Sequence, residues 1–341
     1  MDTPRVRESN FELLRLVAMY FILLYHMLSF FIVKVDDAPL YKALWLPLHI
    51  AVACFVLISG YFHIKPSFKG IVKLLAPLIV CYLPLTFCES VSCVGGGYKE
   101  LLFFSQSPYW FIRVYFYLFM ISPMLNMFIA NKKRMVYLLL VLGFVSTYMG
   151  VMQDPALRDG KNLILFMFLY TMGDCIRTYW SLLEKIKICY LICAYVLLNL
   201  GLVIAYCHTL DSTYGQLLWQ LSYPYCSPIL IFNAVLLFLI FGKMRFKSRL
   251  INTLASSVFA VYVIHHQHYI LYSILRPAVL KVHNMILQPI LFLLCLCAGV
   301  LVVMFVCIGI DKLFSPLWRC FTQLADKADK KYEGFLMIIN G

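Results

Sequence analysis

Runs of about 20 apolar residues, separated by short polar connections, constrain this chain more than any other feature. A hydrocarbon core roughly 30 Å thick takes about 20 mainly apolar helical residues to cross. Ten windows of that kind can be marked, at 11–33, 43–62, 71–91, 108–130, 135–152, 162–180, 187–207, 217–241, 254–275 and 286–310. Of the 341 residues, 63% are apolar and only 13% charged, where an ordinary soluble chain carries about 25% charged residues. Too little polar surface exists to face water, so a water-soluble globular protein is excluded. No internal repeat or low-complexity segment stands out. The expectation is an all-α integral membrane protein with about ten transmembrane helices in one domain, 11–310. A cytoplasmic N-terminus, 1–10, precedes it and a short solvated cytoplasmic tail, 311–341, follows. The first window contains Glu12 and Arg15 and no small-residue cleavage site follows it, which reads as a retained span rather than a removed signal peptide.

The charge pattern supplies an orientation. Lys and Arg number 29 against 16 Asp and Glu, a net +13. In a soluble protein that excess would suggest nucleic acid, but here the cations lie between apolar blocks, so a lipid bilayer is the expected partner and nucleic acid is not. Twenty of them fall on one set of alternate connections and seven on the other, with Arg15 and Arg113 inside spans. Basic connections stay in the cytoplasm, which places both termini there. Nearly all of the 13 cysteines sit in apolar runs, where they act as small apolar residues. No Cys-x-x-Cys pair of metal-binding type occurs, and only Cys93 and Cys207 fall near one face, a pairing that is open but not favoured.

Ionisable groups inside spans are costly, face the bundle interior and are functional candidates by default. An inner group consists of Glu12 and Arg15, with Ser59, Gly60 and Tyr61 ending the second window. An outer group consists of His26, His49, Trp110, Arg113, His265, His266 and His268. Arg15 and His26 are eleven residues apart, which on an α-helix is three turns plus about 20°, so they share a face about 16 Å apart along the axis. That spacing suits chemistry running across the bilayer. Plainer readings stand beside it: Arg15 paired with Glu12 at i, i+3, His26, His49 and Asn126 as core hydrogen-bonders, Ser59-Gly60 as a small-residue helix contact, and Trp110 as a belt aromatic. The histidines at 265, 266 and 268 lack an accompanying carboxylate in their span, so no metal is expected. Pro224 and Pro228 are expected to kink the eighth span.

Several segments together resemble the bacterial membrane-bound acyltransferase family 3, whose members O-acylate cell-surface glycans. They are Asn10-Phe11-Glu12-Leu13-Leu14-Arg15-Leu16 followed by Tyr25-His26, then Phe55-Val56-Leu57-Ile58-Ser59-Gly60-Tyr61-Phe62, Tyr109-Trp110-Phe111-Ile112 with Ser122-Pro123-Met124-Leu125-Asn126, and Val261-Tyr262-Val263-Ile264-His265. The resemblance implies transfer of an acyl group, most often acetyl, from cytoplasmic acyl-CoA, used as a co-substrate and not as a tightly bound cofactor, to a hydroxyl of a cell-surface or lipid-linked glycan. Where the family often carries paired arginines, this chain has Lys65, Lys69 and Lys73, point charges that grip phosphate less specifically. Longer members carry a soluble acyl-transfer domain after the last span. With none following here, the expectation is that the membrane part, or a partner, completes the chemistry.

On this reading His26 is the catalytic residue, as general base or as a transient acyl carrier, with Arg15 and Glu12 beside the thioester. Arg15, Ser59, Tyr61, Lys65, Lys69 and Lys73 bind the donor, while Trp110, Arg113, His49 and His265 bind the acceptor. The competing function from another class is a transporter or flippase of a lipid-linked saccharide, since buried Arg and His also line substrate pathways. A non-catalytic membrane scaffold is a third. The acceptor glycan, the acyl group and the oligomeric state are not fixed by the residues.

Overall fold

The computed structural model describes residues 8–32, 39–78, 80, 109–209, 212–266, 270–286 and 288–332. Lys34, Cys93, Lys99 and His268 lie outside them, so the Cys93 to Cys207 pairing does too. Every regular element among the described residues is a helix. In chain order the main ones are α1 (Ser9–Ile32), the short α2 (Pro39–Ala43) and α3 (Trp45–Leu48), α4 (Ala51–Phe62), α5 (Phe68–Pro77), α6 (Trp110–Ile129), α7 (Lys132–Gly143, continued by a π-helical turn Phe144–Tyr148), α8 (Leu163–Thr178), α9 (Ile188–Thr209), α10 (Thr213–Ser222), α11 (Pro228–Lys243), α12 (Arg249–Ala255), α13 (Val258–His265), α14 (Arg276–Met285), α15 (Pro289–Leu313) and α16 (Ser315–Lys331).

Six helices are long and apolar enough to cross a membrane, at Ser9–Phe30, Leu40–Phe62, Trp110–Ile129, Lys132–Val151, Ile188–Thr209 and Pro289–Leu313. The expected count of ten is not reached on length for physical reasons that differ by window. The third window runs largely beyond the described residues. The sixth, α8, has 16 residues, about 24 Å at 1.5 Å per residue. The eighth is interrupted rather than kinked: α10 stops at Ser222, and Ser227 starts α11 afresh with Pro228 in the first turn. The Ser227 hydroxyl accepts from the Leu230 amide and donates to the Leu221 carbonyl, so backbone groups freed by the break are satisfied in place. The ninth is divided at Ser256-Ser257 and gives way after His266 to a π-helical stretch, Ile270–Leu275.

Small residues set the closest helix packing. A Cβ on Gly60 would lie 2.0 Å from the Tyr170 carbonyl oxygen and one on Gly173 would lie 2.3 Å from that of Leu57, so α4 and α8 touch backbone to backbone, as small-residue pairs allow in lipid. Beneath this contact the turn after α4 is locked. The Ile64 amide donates to the Tyr170 hydroxyl, Tyr170 donates to Asn126, and the Asn126 amide donates back to the Ile64 carbonyl. His63, at φ 58°, and Arg177 both hold buried Asp174, at 2.7 and 2.5 Å.

Two large apolar clusters make up most of the core, one around α4, α8 and α11 and the other around α1, α13 and α15, with a small third one where α9 meets α2 and α3. Leu197, Leu200 and Ile204 of α9 and Leu294, Val302 and Phe305 of α15 are exposed, as a lipid-facing belt requires. The tail corrects the expectation of a solvated segment: α16 is an amphipathic helix lying against α5. The Asp329 carboxylate accepts from the Phe68 and Lys69 amides at 2.7 and 3.1 Å, and Lys69 pairs with Asp326 at 2.8 Å. Asp329 thus works with Ser67, which accepts from the Gly70 amide, to satisfy the first-turn donors of α5.

Candidate functional site

A cavity of about 300 Å³ lies on the seam between the two large apolar clusters. Ile22, Phe55, Phe111 and Tyr115 pack against both clusters and line it. α1 supplies one wall. Glu12, Arg15, Met19, Ile22 and His26 all face the same space, as residues near multiples of 3.6 on one helix must. Glu12 and Arg15 mark its inner end, joined at 2.7 Å, with the carboxylate side chain 7% exposed and the guanidinium side chain 34%. Ser59 of α4 stands near them, donating to the Phe55 carbonyl at 2.9 Å and sharing a 3.0 Å bond with the Tyr115 hydroxyl.

Histidines crowd the outer end. His26 Nδ1 is 3.0 Å from His265 Nε2, and the His266 ring meets His26 edge-on with centroids 4.6 Å apart. His49 is held by a 2.6 Å bond from Nδ1 to the Tyr223 carbonyl. Since a carbonyl only accepts, Nδ1 of His49 carries the hydrogen and, in the neutral ring, Nε2 keeps its lone pair. The His49 ring is stacked on Tyr223 and tilted against Tyr225, at 4.4 and 3.9 Å. Both tyrosines come from the break between α10 and α11, so the interrupted eighth span is what brings aromatic rings to this end. Trp110 adds another face, 5.2 Å from the Tyr225 ring, with the Lys161 ammonium over it at 5.6 Å. Among the described residues, no three His, Cys, Asp or Glu side chains converge as metal ligands.

Of the residues singled out by sequence, Glu12, Arg15, His26, His49, Ser59, Trp110 and His266 share this cavity. The others stand elsewhere. His265 is fully buried behind His26 and is not on the cavity wall. Arg113, half-buried on α6, does not line it either. Tyr61 turns away into a separate groove with Trp180, Arg245 and Lys247. Lys65 is exposed, Lys69 is engaged by Asp326, and Lys73 borders a groove beneath α16 with Asp311 and Arg319. Only Leu74 of α5 reaches the cavity, since Lys69 and Lys73, at i and i+4, share the face turned to the tail helix.

Sequence reasoning passed over Tyr115 and Tyr225, and it missed the His63, Asp174 and Arg177 cluster. Tyr115 had a usable signal, lying at i+4 from Phe111 and so on the same helix face. Tyr225 had none, because its position depends on where the eighth span breaks.

A family model described as an acyltransferase domain, that of acyltransferase family 3, matches residues 8–309. No curated protein and no solved structure matches the chain significantly.

Proposed function

The chain belongs to acyltransferase family 3, and from that premise we propose that it moves an acyl group, acetyl in the simplest case, from cytoplasmic acyl-CoA to a hydroxyl of a cell-surface or lipid-linked glycan. In this reading it crosses a bacterial inner membrane ten times with both termini in the cytoplasm. The observation that carries the proposal is one cavity with an ion-paired arginine at its inner end and bare imidazole nitrogen at its outer end. A neutral transfer chamber between two aqueous sides needs both.

The donor's thioester would enter past Arg15, whose charge attracts the phosphate-bearing donor. The exposed Lys65 and the cations beside Tyr61 supply an electropositive approach, with the tail helix already occupying Lys69. At the outer end a sugar ring would lie on Trp110 and Tyr225, and His49 Nε2 would accept from a second sugar hydroxyl to orient it. His26 then takes the proton of the reacting hydroxyl. The new ester C–O bond forms as the thioester C–S bond breaks, and the leaving thiolate recovers the proton from the imidazolium. General-base help of this kind is worth about 10²–10⁴ in rate. A volume of about 300 Å³ is at the lower end for ligand pockets, which supports an acyl transfer site over passage of a whole lipid-linked saccharide.

Detergent-purified protein tests the reading, by thermal stabilisation with CoA and by acyl-CoA turnover in the presence of a cell-envelope glycan fraction. CoA is expected to stabilise the wild type and to do so less in Arg15→Ala. His26→Ala is expected to keep CoA binding while transfer falls at least about 10²-fold. Absence of stabilisation by CoA and acyl-CoA at millimolar concentration would sink the donor assignment and favour the flippase instead.

A further inference from the structure

The sense of every hydrogen bond in the outer histidine chain is set at its buried end. His265 Nδ1 lies 2.7 Å from the main-chain carbonyl oxygen of Val261, one turn back on α13. That oxygen only accepts, so Nδ1 must hold the hydrogen, and in the neutral ring Nε2 then has only its lone pair. The atom 3.0 Å away from Nε2 is His26 Nδ1, which must therefore donate. One consequence follows for His26: its own Nε2 is left without hydrogen. Among the described residues the His26 ring makes no other hydrogen bond, and the residue lines the cavity.

We infer that His265 is a positioning residue, which holds His26 in the Nδ1–H form so that the Nε2 lone pair is the one presented to the acceptor hydroxyl. The inference rests on the reading of His26 as the base. In the opposite tautomer Nε2 would carry hydrogen and could not take the proton, and reaching it would break the bond to His265. His266, although its ring touches that of His26, makes no hydrogen bond through Nδ1 and cannot set the tautomer. The same contact also serves the next moment of the reaction. When Nε2 has taken the hydroxyl proton, the Nδ1–H bond to His265 becomes charge-assisted and strengthens, with no proton leaving Nδ1. His265 thus plays the orienting part that a carboxylate plays in hydrolytic triads, without placing a charge in the membrane.

The test uses full-length protein carrying His265→Gln or His265→Leu. Glutamine can place an amide oxygen close to where the imidazole Nε2 stood and accept from His26, whereas leucine cannot. With Leu, kcat is expected to fall about 10²-fold while donor KM changes less than about twofold. With Gln, most of the lost kcat returns, an outcome that bulk or packing alone would not produce. An independent readout is the ¹⁵N spectrum of the histidine rings in nanodiscs, assigned with His26→Ala. Wild-type His26 is expected to show a protonated Nδ1 and an unprotonated Nε2, and the Leu variant a mixture of tautomers. The positioning role is overturned if the Gln variant, melting like wild type, is as inactive as the Leu variant, or if wild-type His26 carries its hydrogen on Nε2. Should His26→Ala keep full transfer activity, the base itself is wrong, and the spectrum still decides the tautomer. If the Leu variant does not fold, the wild-type spectrum and the Gln variant decide alone.

Discussion

Glu12 and Arg15 show how a polar pair can be kept at the membrane boundary without becoming a stability element. The guanidinium is a third exposed, so water screens the pair and its worth is about 1 kcal/mol or less. Glu12→Gln keeps an oxygen that can accept from Arg15 and removes only the charge. Its melting temperature should therefore drop by no more than a few degrees, and CoA should stabilise it at least as strongly as wild type. A loss of CoA stabilisation as large as in Arg15→Ala would mean that the carboxylate itself contacts the donor. At this scale much was legible in advance. The eleven-residue interval between Arg15 and His26 states in the sequence that they share a face, and they face one cavity. The role of His265 was not legible, because whether a buried histidine meets ligand or another histidine depends on how α13 is rotated against α1. No periodicity records that rotation.

Among the helices, the contact of α4 with α8 leaves the least room. Gly60 reads in the sequence either as part of a polar cluster with Ser59 and Tyr61 or as a small-residue helix contact, and the Tyr170 carbonyl that a Cβ would meet at 2.0 Å decides for the contact. Gly60→Ala must push the two backbones apart, and since overpacking costs about 1–3 kcal/mol even where side chains can shift, the variant should lose a large part of its thermal stability. Gly201→Ala, at a position with nothing within 4 Å, is the matched control and should melt at or slightly above the wild-type temperature, alanine being the better helix former. Equal melting of the two variants would show that α4 and α8 can separate without cost. Helix existence was readable from apolar runs, but helix integrity was not. Pro224 and Pro228 announce a disturbance in the eighth span, and the choice between a kink and a full stop was made by Ser227, which can cap a new helix and tie back the old one.

Across the whole molecule the ten-span topology depends on short spans such as α8, at about 24 Å when a bilayer core is roughly 30 Å. Reporter fusions on either side of it are therefore decisive. Alkaline phosphatase fused after Gly160 should be active and a fluorescent protein fused after Lys185 should fluoresce, as expected for opposite sides of the membrane. The same response at both sites would remove this span and invert every later connection. The charge count argues for that topology, whereas the cavity was invisible in the sequence, since seven helices and the break between α10 and α11 contribute to it and about half of its wall is ordinary apolar residues. The docked tail was equally hidden, because Asp326 and Asp329 look like any solvated acidic residues until α5 is placed beneath them. That docking sets a timetable for biogenesis. The amides of Phe68 and Lys69 emerge from the ribosome about 260 residues before the carboxylate of Asp329 that receives them. At about 5–20 residues per second, the start of α5 waits roughly 13–52 s for its cap, and this end of the bundle is closed only after all the helices between α5 and α16 have been made.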